Sequence, residues 1–240
     1  MTRSLTRRSL LTGLGYSAIL GGTAGLAFSP NFRDLILGTG ENLAYQSHRL
    51  IGRNALAPEF TTADLSPDFR TNGNTMPASD SYRRHMDSGF SDWALTVDGL
   101  VAAPATFSLD ALKAMPSRSQ ITRHDCVEGW SAIGKWTGVP LGHVLAQVRL
   151  LPAARFVVLH CADDFSGTAY YESIDLVDAF HPQTLLAHTM NDSPLSVGHG
   201  APLRLRVERQ LGYKQAKYIM RIEVTSTLAG TGLGKGGFWE

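Results

Sequence analysis

Residues 123–141, RHDCVEGWSAIGKWTGVPL, decide how the rest of this 240-residue chain is read. Arg123, His124, Asp125 and Cys126 place a cation, an imidazole, a carboxylate and a thiol at consecutive positions, which is dense chemistry for a loop. Cys126 then has three readings. A lone cysteine is commonly an inert buried residue. A neighbouring Arg123 or His124 would lower its pKa and make it a nucleophile. Its thiolate would also be a soft ligand for a heavier transition metal. Spacing alone does not choose between them.

Working outward, Pro140 opens a helix at its permissive first turn, with Leu141, Val144, Leu145 and Val148 on one face. Residues 155–161, RFVVLHC, read as a buried strand. Upstream, Trp93–Val97 alternates as a strand and stops at the turn pair Asp98-Gly99. Ser108 caps a short helix that points Leu109, Leu112 and Met115 inward and ends at Pro116. Downstream, 174–180 predicts a short helix and Asn191-Asp192 a turn. Leu203, Leu205 and Val207 alternate with Arg204, Arg206 and Glu208, which predicts a strand with one wet face; Tyr218 to Val224 alternates similarly. Short strands mixed with short helices, without a βαβ rhythm, predict an α+β domain built on mixed β-sheets. Before it, 41–57 predicts a helical extension and 58–80, rich in Pro, Asn and Thr, an ordered irregular loop. The divisions are 1–35 (targeting), 36–75 (extension and loop) and 76–240 (main domain).

Residues 1–35 hold four cations and one acid; the other residues hold 18 cations and 20 acids, a net −2. A nucleic-acid binder would need a basic footprint, so that partner is not expected. Two cysteines exclude a disulfide scaffold, a four-thiolate iron–sulfur cluster and a CxxCH haem site. The basic start and apolar middle of residues 2–27 have a signal layout, and Thr6-Arg7-Arg8-Ser9-Leu10-Leu11 resembles the twin-arginine export motif. Folded export to the periplasm is expected, with an uncleaved N-terminal membrane anchor as the alternative. Twin-arginine cargo commonly carries a cofactor inserted before export.

The segment 123–141 resembles the cysteine segment of the sulfite oxidase superfamily, especially its bacterial protein-methionine-sulfoxide reductase branch. The likeness extends over 76–240 through Trp93–Val101, Gly167–Tyr170, His199–Arg204 and Gly212–Lys217, four motifs in the family's order. It implies a molybdenum–molybdopterin cofactor with Cys126 as the metal ligand. It places Tyr82 and Arg83 in the family's N-terminal cofactor-contacting motif, with His85 close by, and Ser79 where the branch has Asn. Cys161 falls where that branch has a Thr against the pterin. His199 and Arg204 match its H-G-x-P-x-R pattern, and Gln215, Ala216 and Lys217 its phosphate-contacting stretch. Arg204 and Lys217 suit a phosphate chemically, as a planar fork and a point cation. Tyr170 aligns with a tyrosine beside the substrate and, with Cys126 and Arg83, makes the expected catalytic set.

The implied reaction moves an oxygen atom between molybdenum and a small sulfur-centred substrate. Val-Glu-Gly-Trp-Ser after Cys126 is similar to sulfoxide reductases, whereas Tyr170 and His199 are similar to sulfite oxidases. With no haem motif in the sequence, a separate carrier, a cytochrome or membrane haem protein, is expected to exchange electrons with the site. The chain also stops at Gly236–Glu240, earlier than family members are expected to. Two rival readings are a hydrolase or transferase using Cys126 with His124, and an exported binding protein of the same fold.

Overall fold

The computed structural model describes residues 30–165 and 167–239; Arg3, Arg7 and Arg8 of the expected export signal lie outside them. Residues up to Arg53 and residues from Asn54 onward form separate compact units. The first holds helix α1, Pro30–Gly52, which begins eleven residues before the expected extension. No helix among the described residues is long and apolar enough to cross a membrane.

In the second unit, helix α2 (Asp80–Asp87) leads into two five-stranded sheets. The first has the order β2 (Ala105–Ser108), β1 (Ala94–Gly99), β10 (Ile219–Thr225), β5 (Phe156–Phe165) and β6 (Thr168–Asp175). Only β1 and β10 run parallel in it. Their closeness explains the Asp98-Gly99 stop: Gly99 has φ +86°, and a Cβ there would collide with the Val224 carbonyl. The second sheet has the order β3 (Arg118–Asp125), β4 (Ser131–Pro140), β7 (Thr184–Met190) and β8 (Ser193–Pro194), with β9 (Arg204–Val207) also paired to β7.

Ser108 caps α3 (Leu109–Lys113) by accepting from the Ala111 N–H, as its sequence predicts. Helix α4 (Leu141–Val148) follows Pro140 and buries Leu141, Val144, Leu145 and Val148 completely, against Val97, Val157 and Leu159 of the first sheet and Val139 and Leu186 of the second. Each such side chain contributes about 1.5–3 kcal/mol of burial. The helix expected over 174–180 shrinks to α5, Leu176–Ala179, because Ile174 belongs to β6 and Asp175 is the cap.

Strand β9 overturns an expectation. Its four residues are all buried, and Arg204 and Arg206 are fully inaccessible, so the alternation marks two buried faces and no wet one. Both guanidinium carbons lie over the Trp136 ring, at 4.9 and 4.2 Å from its centroid. A desolvated cation over an aromatic face is a favourable arrangement. The expected loop 58–80 is a strap along the second sheet: Phe60 N–H donates to the Ile121 carbonyl, the Ser66 hydroxyl accepts from the Ile133 N–H, and the Phe69 ring packs edge-on to Trp136.

Candidate active site

Strands β3 and β4 pair from Arg118–Gly138 to Asp125–Ser131, so Cys126–Trp130 is the hairpin's loop. Cys126 N–H donates to the Trp130 carbonyl and Gly129, at φ +86°, returns its N–H to the Cys126 carbonyl. That places Cys126, partly exposed, at the wall of a cavity of about 290 Å³. The cavity is lined besides by Asn72, Gly73, Asn74, Val127 and Glu128, by Asp163, Phe165 and Tyr170 of β5 and β6, and by Tyr213, Gln215, Ala216, Lys217 and Trp239. Burial pushes the Cys126 thiol up, so the protein alone does not activate it as a nucleophile.

His124 does not serve Cys126. It is fully buried, its Nδ1 accepts from Arg206 at 3.0 Å, and burial together with Arg206 and Arg204 pushes its pKa down to about 2. A neutral imidazole committed to an arginine is no base for the thiol. The cysteine–histidine hydrolase reading loses its geometry here. The place is also tight: a Cβ on Gly212 would come within 2.7 Å of His124 Nε2.

Lys217 is almost completely buried and donates to three backbone carbonyls: Asn72 and Asn74 of the strap, both at 2.6 Å, and Gly198 at 3.0 Å. Burial and Arg204 push its pKa down to about 7. Arg204 donates only to carbonyls, of His199 at 3.0 Å and Gln215 at 3.4 Å, and its Nε has no partner. Burial and Arg206 push it down to about 9. Gly200, at φ +102°, brings the two cations' stems together: its Cβ would lie 3.0 Å from Lys217 and 3.2 Å from Arg204. Arg206, by contrast, makes a two-pronged pair with Glu208, at 3.0 and 2.7 Å.

Two buried cations without a carboxylate at ion-pair distance await an anion. Together with a cavity-facing thiol, they make a donor set that fits a thiolate-bound metal and a phosphate-bearing ligand. The other expected residues divide. Gln215 and Ala216 line the same cavity. His199 is not in that lining; it faces a second cavity with Asp68, Phe69 and Met190 and is held between the Phe69 carbonyl and the Ser196 hydroxyl. Tyr82 is buried behind Tyr218 and donates to the Ala201 carbonyl, with Ser79 capping its helix. Cys161 lies in the apolar core and not in the cavity wall. Arg83 is half exposed, paired with Asp80 at 2.9 Å, and not among the lining residues.

The site also contains residues that the sequence did not single out. Glu128 accepts from Trp130 Nε1 at 3.0 Å and from the Gly73 N–H at 3.1 Å, tying the cysteine loop to the strap. Asn74 donates to Asp163 at 2.8 Å, and Trp239 stacks edge-on to Phe165. Glu128 stood within the decisive segment; the strap residues had no periodic signal.

The family model described as oxidoreductase molybdopterin binding domain matches residues 83–231. The chain belongs to that family. A putative protein-methionine-sulfoxide reductase subunit YedZ1 of Azospira oryzae is 39% identical over 191 residues, covering 80% of this chain and 67% of that protein. The protein-methionine-sulfoxide reductase catalytic subunit MsrP of Xanthomonas axonopodis pv. citri is 37% identical over 152 residues, 59% of this chain and 47% of its own length. The chain thus spans about two thirds of one relative and half of the other. The sulfane dehydrogenase SoxCD of Paracoccus pantotrophus shares the fold, with TM-score 0.56 at 20% identity over 72% of this chain and 46% of that one. The mixed-sheet architecture is the sulfite-oxidase type, and the chain is a molybdopterin-dependent oxidoreductase resembling MsrP.

Proposed function

We propose that this enzyme reduces a sulfoxide to a thioether, with methionine sulfoxide as the substrate class. The observation that carries this reading is the charge of the cavity wall. Beside Cys126 it presents Phe165, Tyr170, Tyr213, Trp239 and Val127, two carboxylates (Glu128 and Asp163), and one cation, Lys217, which is held by three carbonyls. No arginine is among these lining residues. A sulfite anion would meet two carboxylates there and little positive charge, whereas a neutral sulfoxide with apolar flanks suits aromatic walls. The names of the YedZ1 and MsrP relatives point the same way.

Cys126 would hold molybdenum through its thiolate, since a metal's charge favours deprotonation of a thiol that the bare protein keeps neutral. Arg204 and Lys217 would neutralise the pterin phosphate, with Gln215 and Ala216 along the same wall. When bound, that group supplies the two-electron change and the exchange of oxygen with sulfur. The chain's own residues orient the substrate and exclude water, and Tyr170 stands in the wall against which the substrate's oxygen would lie. We further propose that a separate haem carrier supplies the electrons and that the enzyme works in the periplasm, which it reaches by the twin-arginine route through residues 6–11.

The test is protein purified from a molybdopterin-competent host. We expect about one molybdenum per chain, reduction of peptide methionine sulfoxide, and little oxidation of sulfite. Sulfite turnover without sulfoxide turnover would reverse the direction proposed.

A further inference from the structure

Tyr170 and Glu172 stand two residues apart on β6 and so project from one face of it. Tyr170 lines the cavity with Cys126; Glu172 is completely buried. The Tyr170 hydroxyl has one hydrogen and two acceptors within reach, Glu172 Oε1 at 3.1 Å and the Tyr213 carbonyl at 2.9 Å. Both are protein atoms, so the hydrogen is committed to the wall and only oxygen lone pairs are offered to a substrate. Glu172 Oε2 in turn lies 3.0 Å from Lys214 Nζ, whose side chain is 11% exposed, so the chain of contacts runs from the cavity to the solvent edge. A fully buried carboxylate behind the one tyrosine expected to act on substrate oxygen is an expensive group for mere packing.

We propose that Glu172 is a positioning residue whose protonation decides whether Tyr170 donates a hydrogen bond into the cavity. As a carboxylate it holds the Tyr170 hydrogen. As a carboxylic acid it donates to Tyr170 Oη and releases that hydrogen, which the Tyr213 carbonyl and the substrate's oxygen then share. The inference rests on the sulfoxide-reduction reading. In that reaction the substrate takes two electrons from a haem carrier and two protons; the sulfur–oxygen bond breaks, and thioether and water leave. The step proposed concerns one of those protons, which reaches the oxygen through Tyr170 as Glu172 resupplies it. Among the groups facing Glu172 are Lys214 from the turn Gly212–Lys214, Tyr170 on its own strand and Cys161 from β5, with Asp163 acting on Tyr170.

The experiment measures methionine-sulfoxide peptide reduction by the full-length holoenzyme across pH for the wild type, Glu172→Gln, Tyr170→Phe and Lys214→Met. The wild type should lose kcat/KM as pH rises through one ionisation. Glu172→Gln, whose amide donates as the acid does, should lack that alkaline limb, and Tyr170→Phe should be slower by roughly 10²-fold, the usual weight of a positioned proton donor. Lys214→Met should move the limb to higher pH, because removing a cation makes the carboxyl easier to protonate. Without turnover, the carbon-13 signal of the hydroxyl-bearing ring carbon of Tyr170, assigned by its loss in Tyr170→Phe, should shift over the same pH range in the wild type and stay fixed in Glu172→Gln. A limb that persists in Glu172→Gln, or a Tyr170 signal that does not titrate in the wild type, overturns the proposal. Should Glu172→Gln not fold, an unmoved limb in Lys214→Met does the same. A wild type inert to sulfoxides but active on sulfite breaks the parent reading instead, and the Tyr170 signal still reports on Glu172.

Discussion

Cys126 and Cys161 carry the same thiol into two different places. Cys126 opens a hairpin loop, is partly exposed and faces a cavity with Lys217 in its wall. Cys161 is in mid-strand among Leu159, Tyr170 and Ile219, shut into the core. Burial pushes both thiols up, so acidity in the bare protein does not distinguish the proposed ligand from the core cysteine. Access does: only Cys126 lines the cavity, while Lys217 acts electrostatically on both.

The strongest way to break this contrast is exchange of each cysteine in turn. Cys126→Ser should lose essentially all molybdenum and activity, whereas Cys161→Ala should keep about one metal per chain; metal analysis of both proteins decides. Next comes the charge beside the cavity. Arg204→Met should cut cofactor retention by roughly 10–100-fold, yet leave the metal-free chain as stable as before or more so, because replacing a buried cation that has no carboxylate partner by an apolar side chain of similar size removes a desolvation cost larger than its contacts with Trp136 and two carbonyls return. Denaturant titration of the metal-free variants reads this, and a clear destabilisation would mean that Arg204 is structural.

The histidine beside that charge gives a pH test with a definite sign. His124 is held neutral in the fold, with a pKa near 2 against an ordinary 6.5, so the unfolded chain takes up a proton that the folded one refuses. Stability should therefore fall as pH drops below about 6.5, by up to about 1.4 kcal/mol per pH unit from this group. His124→Gln should flatten that slope in denaturation curves taken between pH 7 and pH 4. The smallest effect belongs to a place far from either cysteine: Ser108→Ala removes the cap of α3 and should cost about 1 kcal/mol without changing metal content.

Much of the frame was legible because its residues obey one period at a time. The Val-Asp-Gly stop of β1, the Ser108 cap and the apolar face of α4 follow from local rules that tertiary packing did not overrule. β9 was misread because alternation says that two faces differ, not that one meets water; Arg204 and Arg206 were made burial-compatible by Trp136, Glu208 and backbone carbonyls distant in sequence. Cys126, Gln215, Ala216 and Lys217 meet at one cavity as the family motifs imply. Arg83 and Cys161 do not, since proximity along a motif fixes neither the direction of a helix face nor the inward side of a strand.

The strap has a practical consequence for where the working unit begins. Two of the three carbonyls on Lys217 come from Asn72 and Asn74, and Phe69 fills the space between Trp136 and His199. A polypeptide cut at residue 83, where the family match starts, would keep the cysteine segment and every later motif but lose Tyr82 and this wall of the cavity. The shortest piece worth expressing reaches back at least to Ala57, whose backbone exchanges hydrogen bonds with Gln183 and anchors the strap's far end.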